Sequence, residues 1–281
     1  MAIQIVNVTH SKIAKHGYEL SLPAKIVGGR ISLGPPDIYS QSISQLFPLG
    51  TKLEFSDGRV FRYGKVGATS TSPPMARMMV NANAAPGATG EEDVDGYEGD
   101  LYVAAAAGAE YVDLEVATAY AENFFEDGML AVYVDSSPTS HYVEYRIAGS
   151  ELGDGTFCRV YLDNPNGLKR AITATEGVTA YKSIYSQLKV GGAEGTSFTS
   201  VVGVVLVDTF TVNYFCWAQR RGRCIVTPTA YFGDTADERM AQLHSDGTIA
   251  LKNAHGTHTV GYLTQRTVSG YGDLEIWLQL E

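Results

Sequence analysis

Asp57-Gly58 stands between two runs of alternating apolar and charged residues, within the stretch FPLGTKLEFSDGRVFRYGKVGA at 47–68. An Asp-Gly pair so flanked is the strongest short-range signal for a β-hairpin. A two-residue loop would set Phe55 opposite Val60 and Leu53 opposite Arg62, mixing charge into the apolar face. A three-residue loop, Ser56-Asp57-Gly58 with Gly58 left-handed, pairs Phe55 with Arg59, Leu53 with Phe61 and Thr51 with Tyr63. Leu53, Phe55, Phe61 and Tyr63 then share one face, and Lys52, Glu54, Val60 and Arg62 the other. A slip of one residue inverts every side chain, so this sorting predicts the three-residue loop with a bulge at Gly58. The Leu53/Phe61 face is expected in the core and the Lys52/Arg62 face toward a partner.

Two further Asp-Gly turns are expected, Asp154-Gly155 closing a second hairpin and Asp246-Gly247 a third turn. The first joins strands over 142–148 and 157–162. Strands are also expected at 75–80, 101–115 with a turn at Gly108-Ala109, and 129–134. Gly at 30 residues, Tyr at 17 and only 19% charged residues suit a loop-rich β protein. Residues 118–126 are the best helix candidate, with Phe124 and Phe125 at helical spacing from Ala117 and Ala121 and a stop at Gly128. Residues 181–188 can hold one helical turn. A faint echo links Val202-Gly203-Val204 and Trp217 to Val260-Gly261-Tyr262 and Trp277, each reading as strand, turn, strand. The expected fold is mainly β, an antiparallel β-sandwich or small β-barrel with one or two short helices and an extended N-terminal arm.

Pro23, Gly28-Gly29 and Gly34-Pro35-Pro36 break the apolar pattern of residues 1–46, which read as an extended arm that wraps its own subunit or reaches a neighbour. A β domain is expected over 47–165, with an exposed acidic loop at 81–100. A second β module follows over 166–281, its compact part about 200–281. The net charge of −10 is unevenly spread: residues 1–80 carry nine Lys/Arg against four Asp/Glu, and residues 81–160 carry two against sixteen. A basic start and an acidic middle suggest head-to-tail contact between copies or docking on an acidic surface, as against a merely solvated acidic loop. The longest apolar run, 201–207, is far below the roughly 18 residues of a membrane span. The N-terminus shows no signal-peptide pattern.

Cys158, Cys216 and Cys224 lack metal-ligand spacing and read as reduced, buried thiols. His255-x-x-His258 with His244 nearby offers metal-ligand types, but positions three apart on a strand face opposite sides. The acids Asp93, Asp95, Glu98 and Asp100 alternate as in a calcium loop without its closing Glu. Arg220-Arg221-Gly222-Arg223 reads as a basic cluster at a hairpin turn, fit for salt bridges across a protein interface better than for nucleic acid. No nucleophile elbow and no phosphate loop occurs. The expectation is a non-enzyme with no catalytic, cofactor-binding or metal residues and no cofactor.

The segments PLGTKLEFSDGRVFRYGKVGAT at 48–69, NFFEDGML at 123–130, VVGV…YFCWAQRRGRCIV at 201–226 and GYGDLEIWLQLE at 270–281 are together similar to virion structural proteins of environmental tailed bacteriophages. The C-terminal module also resembles the small β-rich capsid cement proteins of tailed phages. The resemblance implies a virion protein that decorates or cements the capsid, located on the capsid surface after assembly in the bacterial host cytoplasm. Its implied partners are the major capsid protein and copies of itself in a homo-oligomer, without nucleic acid or membrane. The alternative is a receptor- or glycan-binding head-fibre or tail component that meets a host-surface glycan.

Overall fold

The computed structural model describes residues 5–7, 12–15, 18–21, 25–27, 36–68, 74–81, 96–133, 142–191, 200–229, 239–244, 246–251, 258–265 and 274–281. These residues form twenty strands and no helix. The first ten are β1 (Ile5–Asn7), β2 (Lys12–Lys15), β3 (Tyr18–Ser21), β4 (Lys25–Val27), β5 (Lys52–Phe55), β6 (Val60–Lys65), β7 (Met78–Asn81), β8 (Gly96–Gly99), β9 (Tyr111–Glu115) and β10 (Met129–Tyr133). The rest are β11 (Tyr142–Ser150), β12 (Phe157–Leu162), β13 (Val178–Tyr181), β14 (Leu188–Val190), β15 (Val201–Val205), β16 (Phe215–Val226), β17 (Met240–Leu243), β18 (Ile249–Leu251), β19 (Thr259–Gln265) and β20 (Leu274–Gln279). All the strand pairs are antiparallel.

The β5–β6 hairpin has the register its side chains demand. Leu53 lies opposite Phe61, Lys52 opposite Arg62 and Glu54 opposite Val60. Gly58 adopts φ +86°, and its N–H donates to the Phe55 carbonyl at 3.0 Å while the Phe55 N–H donates to Arg59 at 2.9 Å. That is the three-residue loop with its bulge. The other two Asp-Gly turns repeat the device, with Gly155 at φ +86° and Gly247 at +82°. In each, the Asp Oδ1 accepts the N–H two residues on: Arg59 at 3.0 Å, Thr156 at 2.7 Å and Thr248 at 2.9 Å. Asp pre-bends the backbone and Gly takes the left-handed position, so these turns are written locally.

Val60 departs from the sorted pattern. It lies on the Arg62 face yet is fully buried. It is the middle member of a cross-strand row, Glu54–Val60–Arg221. The Arg221 guanidinium bonds the Glu54 carboxylate at 2.8 Å, so the ion pair bridges over the valine and shields it.

The chain divides into two compact units, Met1–Ser11 with Leu22–Ile31 and Ala88–Ser183, and Lys12–Ser21 with Ser32–Gly87 and Ile184–Glu281. Boundaries at 46 and 165 are not the ones its contacts draw. Register explains the difference: the row Leu20–Leu53–Phe61–Gln219 runs through β3, β5, β6 and β16. Its four side chains are all buried, so distant parts of the chain close one sheet. Residues 166–183, meanwhile, give β13 to the sheet of the first unit. Nor do residues 1–46 form only an extended arm. They supply β1 paired to β4, the β2–β3 pair added to β5, and a bridge from Ser42 to Phe215.

The first unit carries a six-stranded sheet in the order β8-β13-β10-β11-β12-β9. Strict alternation along β12 buries Cys158, Val160 and Leu162, which join Leu114, Leu130, Ile147, Phe125 and Ile172 in one core. The 118–126 segment is a chain of tight turns rather than a helix. Asn123 and Asp127 take φ +59° and +56°, and their N–H groups donate to Ser150 and Ile147 of β11 at 2.9 and 3.0 Å. Donors that a helix would need are thus spent on the sheet. Residues 181–188 likewise hold turns without a helix. Residues 96–99 of the expected acidic loop form the edge strand β8, paired to β13, and positions 82–95 lie outside the described residues.

The second unit carries a twelve-stranded sheet whose main path is β18-β17-β19-β20-β16-β6-β5-β3-β2. Beyond β20 it curls into a half-barrel, because Ile249 of β18 bridges Pro228 just past β16. Ile276, Leu278, Val260, Ile249, Val226 and Met78 fill its interior.

Candidate functional site

The two stretches of the sequence echo are neighbours in one sheet, in different registers: Val204 lies opposite Gln219, whereas Tyr262 lies opposite Trp277. β15 pairs with β16 and β19 with β20, and β16 and β20 pair with each other. β16 meets β15 through Ala218 and Gln219 and β20 from Arg221 onward, so the sheet forks at Arg220. The Arg220 guanidinium donates to the Val202 carbonyl of β15 at 2.8 Å and to the Leu280 carbonyl at 3.0 Å. The Leu280 N–H returns to the Arg220 carbonyl at 3.0 Å. The Glu281 carboxylate sits 3.4 Å from Arg220 and is also held by Arg62. Burial pushes the Glu281 carboxyl up, but Arg62 and Arg220 outweigh it and hold the group below its ordinary range. The two tryptophans differ: Trp217 is buried, Trp277 half-buried.

Arg220-Arg221-Gly222-Arg223 therefore lies in the middle of the longest strand and not at a hairpin turn. Gly222 takes φ +94° beside a register shift opposite Val60, which is a bulge, the other common use of a left-handed glycine. Each arginine has its carboxylate within this chain: Arg220 with Glu281, Arg221 with Glu54, and Arg223 with Glu275 at 2.6 Å. Glu275 is held below its ordinary range by the Arg223 bond, then by the Thr264 hydroxyl. Glu54 is lowered chiefly by Lys52, against some desolvation. The Lys52/Arg62 face is thus a lattice of internal ion pairs.

His244 Nδ1 pairs with Asp246 Oδ1 at 2.9 Å inside the third Asp-Gly turn, and His258 is exposed. His255 lies outside the described residues, as do Asp93 and Asp95 of the alternating acids. Glu98 sits on β8, and the Asp100 carbonyl takes the Tyr97 hydroxyl at 2.7 Å. Among the described residues no group of three or more His, Cys, Asp or Glu is placed to hold a metal ion. Cys158, Cys216 and Cys224 are free and buried, and burial pushes each thiol up to about 12. Protonated thiols are poor nucleophiles.

One cleft brings polar and aromatic groups together, in the second unit. It is lined by Pro36, Asp37, Ser40, Ser42, Leu46, Phe47, Tyr63, Phe215, Cys216 and Trp217, with a volume of about 110 Å³. Its base is an aromatic cluster. The Tyr63 ring centroid lies 5.0 Å from that of Trp217, 5.3 Å from Phe47 and 5.9 Å from Phe215, the last pair nearly parallel. Alternation places Tyr63 and Trp217 directly opposite each other on β6 and β16. The wall is the irregular segment 36–47, fixed by one backbone bridge, Ser42 to Phe215, and by side-chain bonds. Gln41 clamps Thr209 and Thr211, the latter N–H reaching its Oε1 at 3.0 Å, and the Leu46 N–H donates to the Tyr63 hydroxyl at 3.1 Å. The Tyr39 N–H donates to Asp37 Oδ1 at 2.9 Å, which orients that carboxylate. The sequence pattern at 38–46 shows only polar residues with spaced apolars, and the rings come from positions far apart in the chain.

No protein-family model, no curated protein and no solved structure matches this chain.

Proposed function

We propose that this chain is a structural virion protein of a tailed bacteriophage, decorating or cementing the capsid shell from its outer surface. Strand addition is the attachment chemistry, with the major capsid protein and further copies of the chain as partners. One observation carries the reading. The N-terminal segment adds to the sheet as a backbone-paired unit, β2–β3 on β5, and ends the sheet at β2. A terminal strand presents a row of N–H and C=O groups that a partner strand can extend, and main-chain pairing of this kind needs no active site. The antiparallel sheets are accordingly sandwich-like and small-barrel modules of a homo-oligomer, in which many weak edge contacts sum to firm attachment. The resemblance expected from the sequence of the segments at 48–69, 123–130, 201–226 and 270–281 motivates the same assignment. The arginines offer nucleic acid little, since their carboxylate partners already occupy them.

The test uses particles stripped of this chain and the purified protein. Full-length protein is expected to rebind to saturation, and protein lacking residues 1–15, which removes the edge strand β2 and keeps β3 with its buried Leu20, to stay in solution while keeping its β circular dichroism. Failure of the full-length chain to rebind overturns the assignment, and rebinding by the truncated chain overturns the strand-addition mechanism.

A second reading, a receptor- or glycan-binding component of the head fibres or tail, draws on one surface. Tyr111 and Tyr181 stand 41% and 50% exposed on the first unit's sheet, and the Arg159 guanidinium lies 4.1 Å from the Tyr111 ring centroid. Exposed Tyr and Arg on a rigid sheet are the residue types that dominate recognition surfaces.

A further inference from the structure

We propose that the cleft beneath residues 36–47 is a binding site for a compact organic cation of the ammonium class, with Asp37 as its counter-ion and Phe47, Tyr63, Phe215 and Trp217 as its aromatic wall. The composition of the lining decides the sign of the ligand. Among the described residues no Lys, Arg or His lines the cleft, one carboxylate does, and the other polar side chains are the hydroxyls of Ser40, Ser42 and Tyr63 and the protonated thiol of Cys216. An anion would meet Asp37 and the electron-rich rings with nothing to neutralise it. A positive head group gains the Coulomb attraction of the carboxylate and the quadrupole attraction of the rings together.

Size narrows the class. A volume of about 110 Å³ is well below the roughly 300–1,000 Å³ of sites for larger organic ligands. It suits a trimethylammonium group or the end of a lysine side chain. The site is also pre-formed. Trp217, Tyr63 and Phe47 are each only 2% exposed and lock one another in place, and the Ser42–Phe215 bridge holds the wall by bonds of 2.9 and 2.8 Å. Burial raises the Tyr63 phenol, so its hydroxyl stays neutral while it accepts the Leu46 N–H. A pre-formed cleft lowers the ordering cost of binding.

The chain has two tryptophans, so Trp277→Phe leaves Trp217 as the only indole and its emission reports the cleft. The protein is titrated at constant ionic strength with choline, with Nα-acetyl-lysine amide, with 3,3-dimethylbutan-1-ol, the uncharged isostere of choline, and with methyl glucoside. Saturable change with choline or with the lysine amide is expected, and which of the two binds tells a free small cation from a protein side chain. Asp37→Asn keeps the acceptor for Tyr39 and is expected to melt with the parent while binding the cation at least about tenfold more weakly. An equal response to the uncharged alcohol, a response to the glucoside alone, no saturable response to either cation, or unchanged affinity in Asp37→Asn overturns the proposal.

Discussion

The Arg220 guanidinium donates to the Val202 carbonyl at 2.8 Å, and that bond ties β15 to β16 at the point where the sheet divides. A forked sheet leaves carbonyls at the split with no ladder partner. The planar guanidinium carries several donors in a fixed spread, so one side chain reaches both branches, Val202 on one side and Leu280 on the other.

Replacing Arg220 by Leu strands both carbonyls and leaves Glu281 with Arg62 alone. The variant is expected to lose about 2–4 kcal/mol of stability. Arg220→Lys should recover only part of this, because an ammonium cannot span both acceptors. Urea unfolding of the three proteins gives the order parent, Lys, Leu.

Gly261 and Gly58 make a contrasting pair. A Cβ at Gly261 would run into the Trp277 carbonyl oxygen on β20, whereas one at Gly58 meets nothing within 4 Å and suffers only from φ +86°. Gly261→Ala is expected to cost about 2–4 kcal/mol and Gly58→Ala about 1 kcal/mol. Equal losses in thermal unfolding would contradict the packing of β19 on β20.

The three thiols set an alkaline limit. Burial raises each from 9.0 to about 12 in the fold. Their contribution to stability is therefore complete below pH 9 and is lost as pH rises toward 12. The unfolding midpoint is expected to fall through that window, and less steeply in a Cys216→Ala/Cys224→Ala double variant. At pH 8 an aromatic disulfide reagent should label none of the three thiols in the native protein and all of them in denaturant.

What could be read in the sequence was what its local chemistry specifies. Asp57-Gly58, Asp154-Gly155 and Asp246-Gly247 carry both halves of their turns, an Asp oxygen for the N–H two residues on and a residue free to adopt positive φ, so three turns, two of them hairpins, and one register could be derived. The helix expected at 118–126 fails for a non-local reason: Asn123 and Asp127 bond β11, and no pattern within nine residues reveals that. Gly222 misleads in the same way, since a left-handed glycine marks a bulge as readily as a turn. The interleaving of the two units follows from β3 pairing with β5, a choice set by Leu20 meeting Leu53. The cleft was the least visible, because Asp37, Tyr63 and Trp217 converge only after β6 and β16 have paired.

Stoichiometry tests the assignment most directly. Purified particles are digested, and peptides of this chain are counted against those of the major capsid protein with isotope-labelled standards. A decorating or cementing protein is expected in a fixed, simple ratio to the shell subunits. Its absence from the particles, or a ratio as low as that of a tail or fibre component, would contradict the capsid assignment.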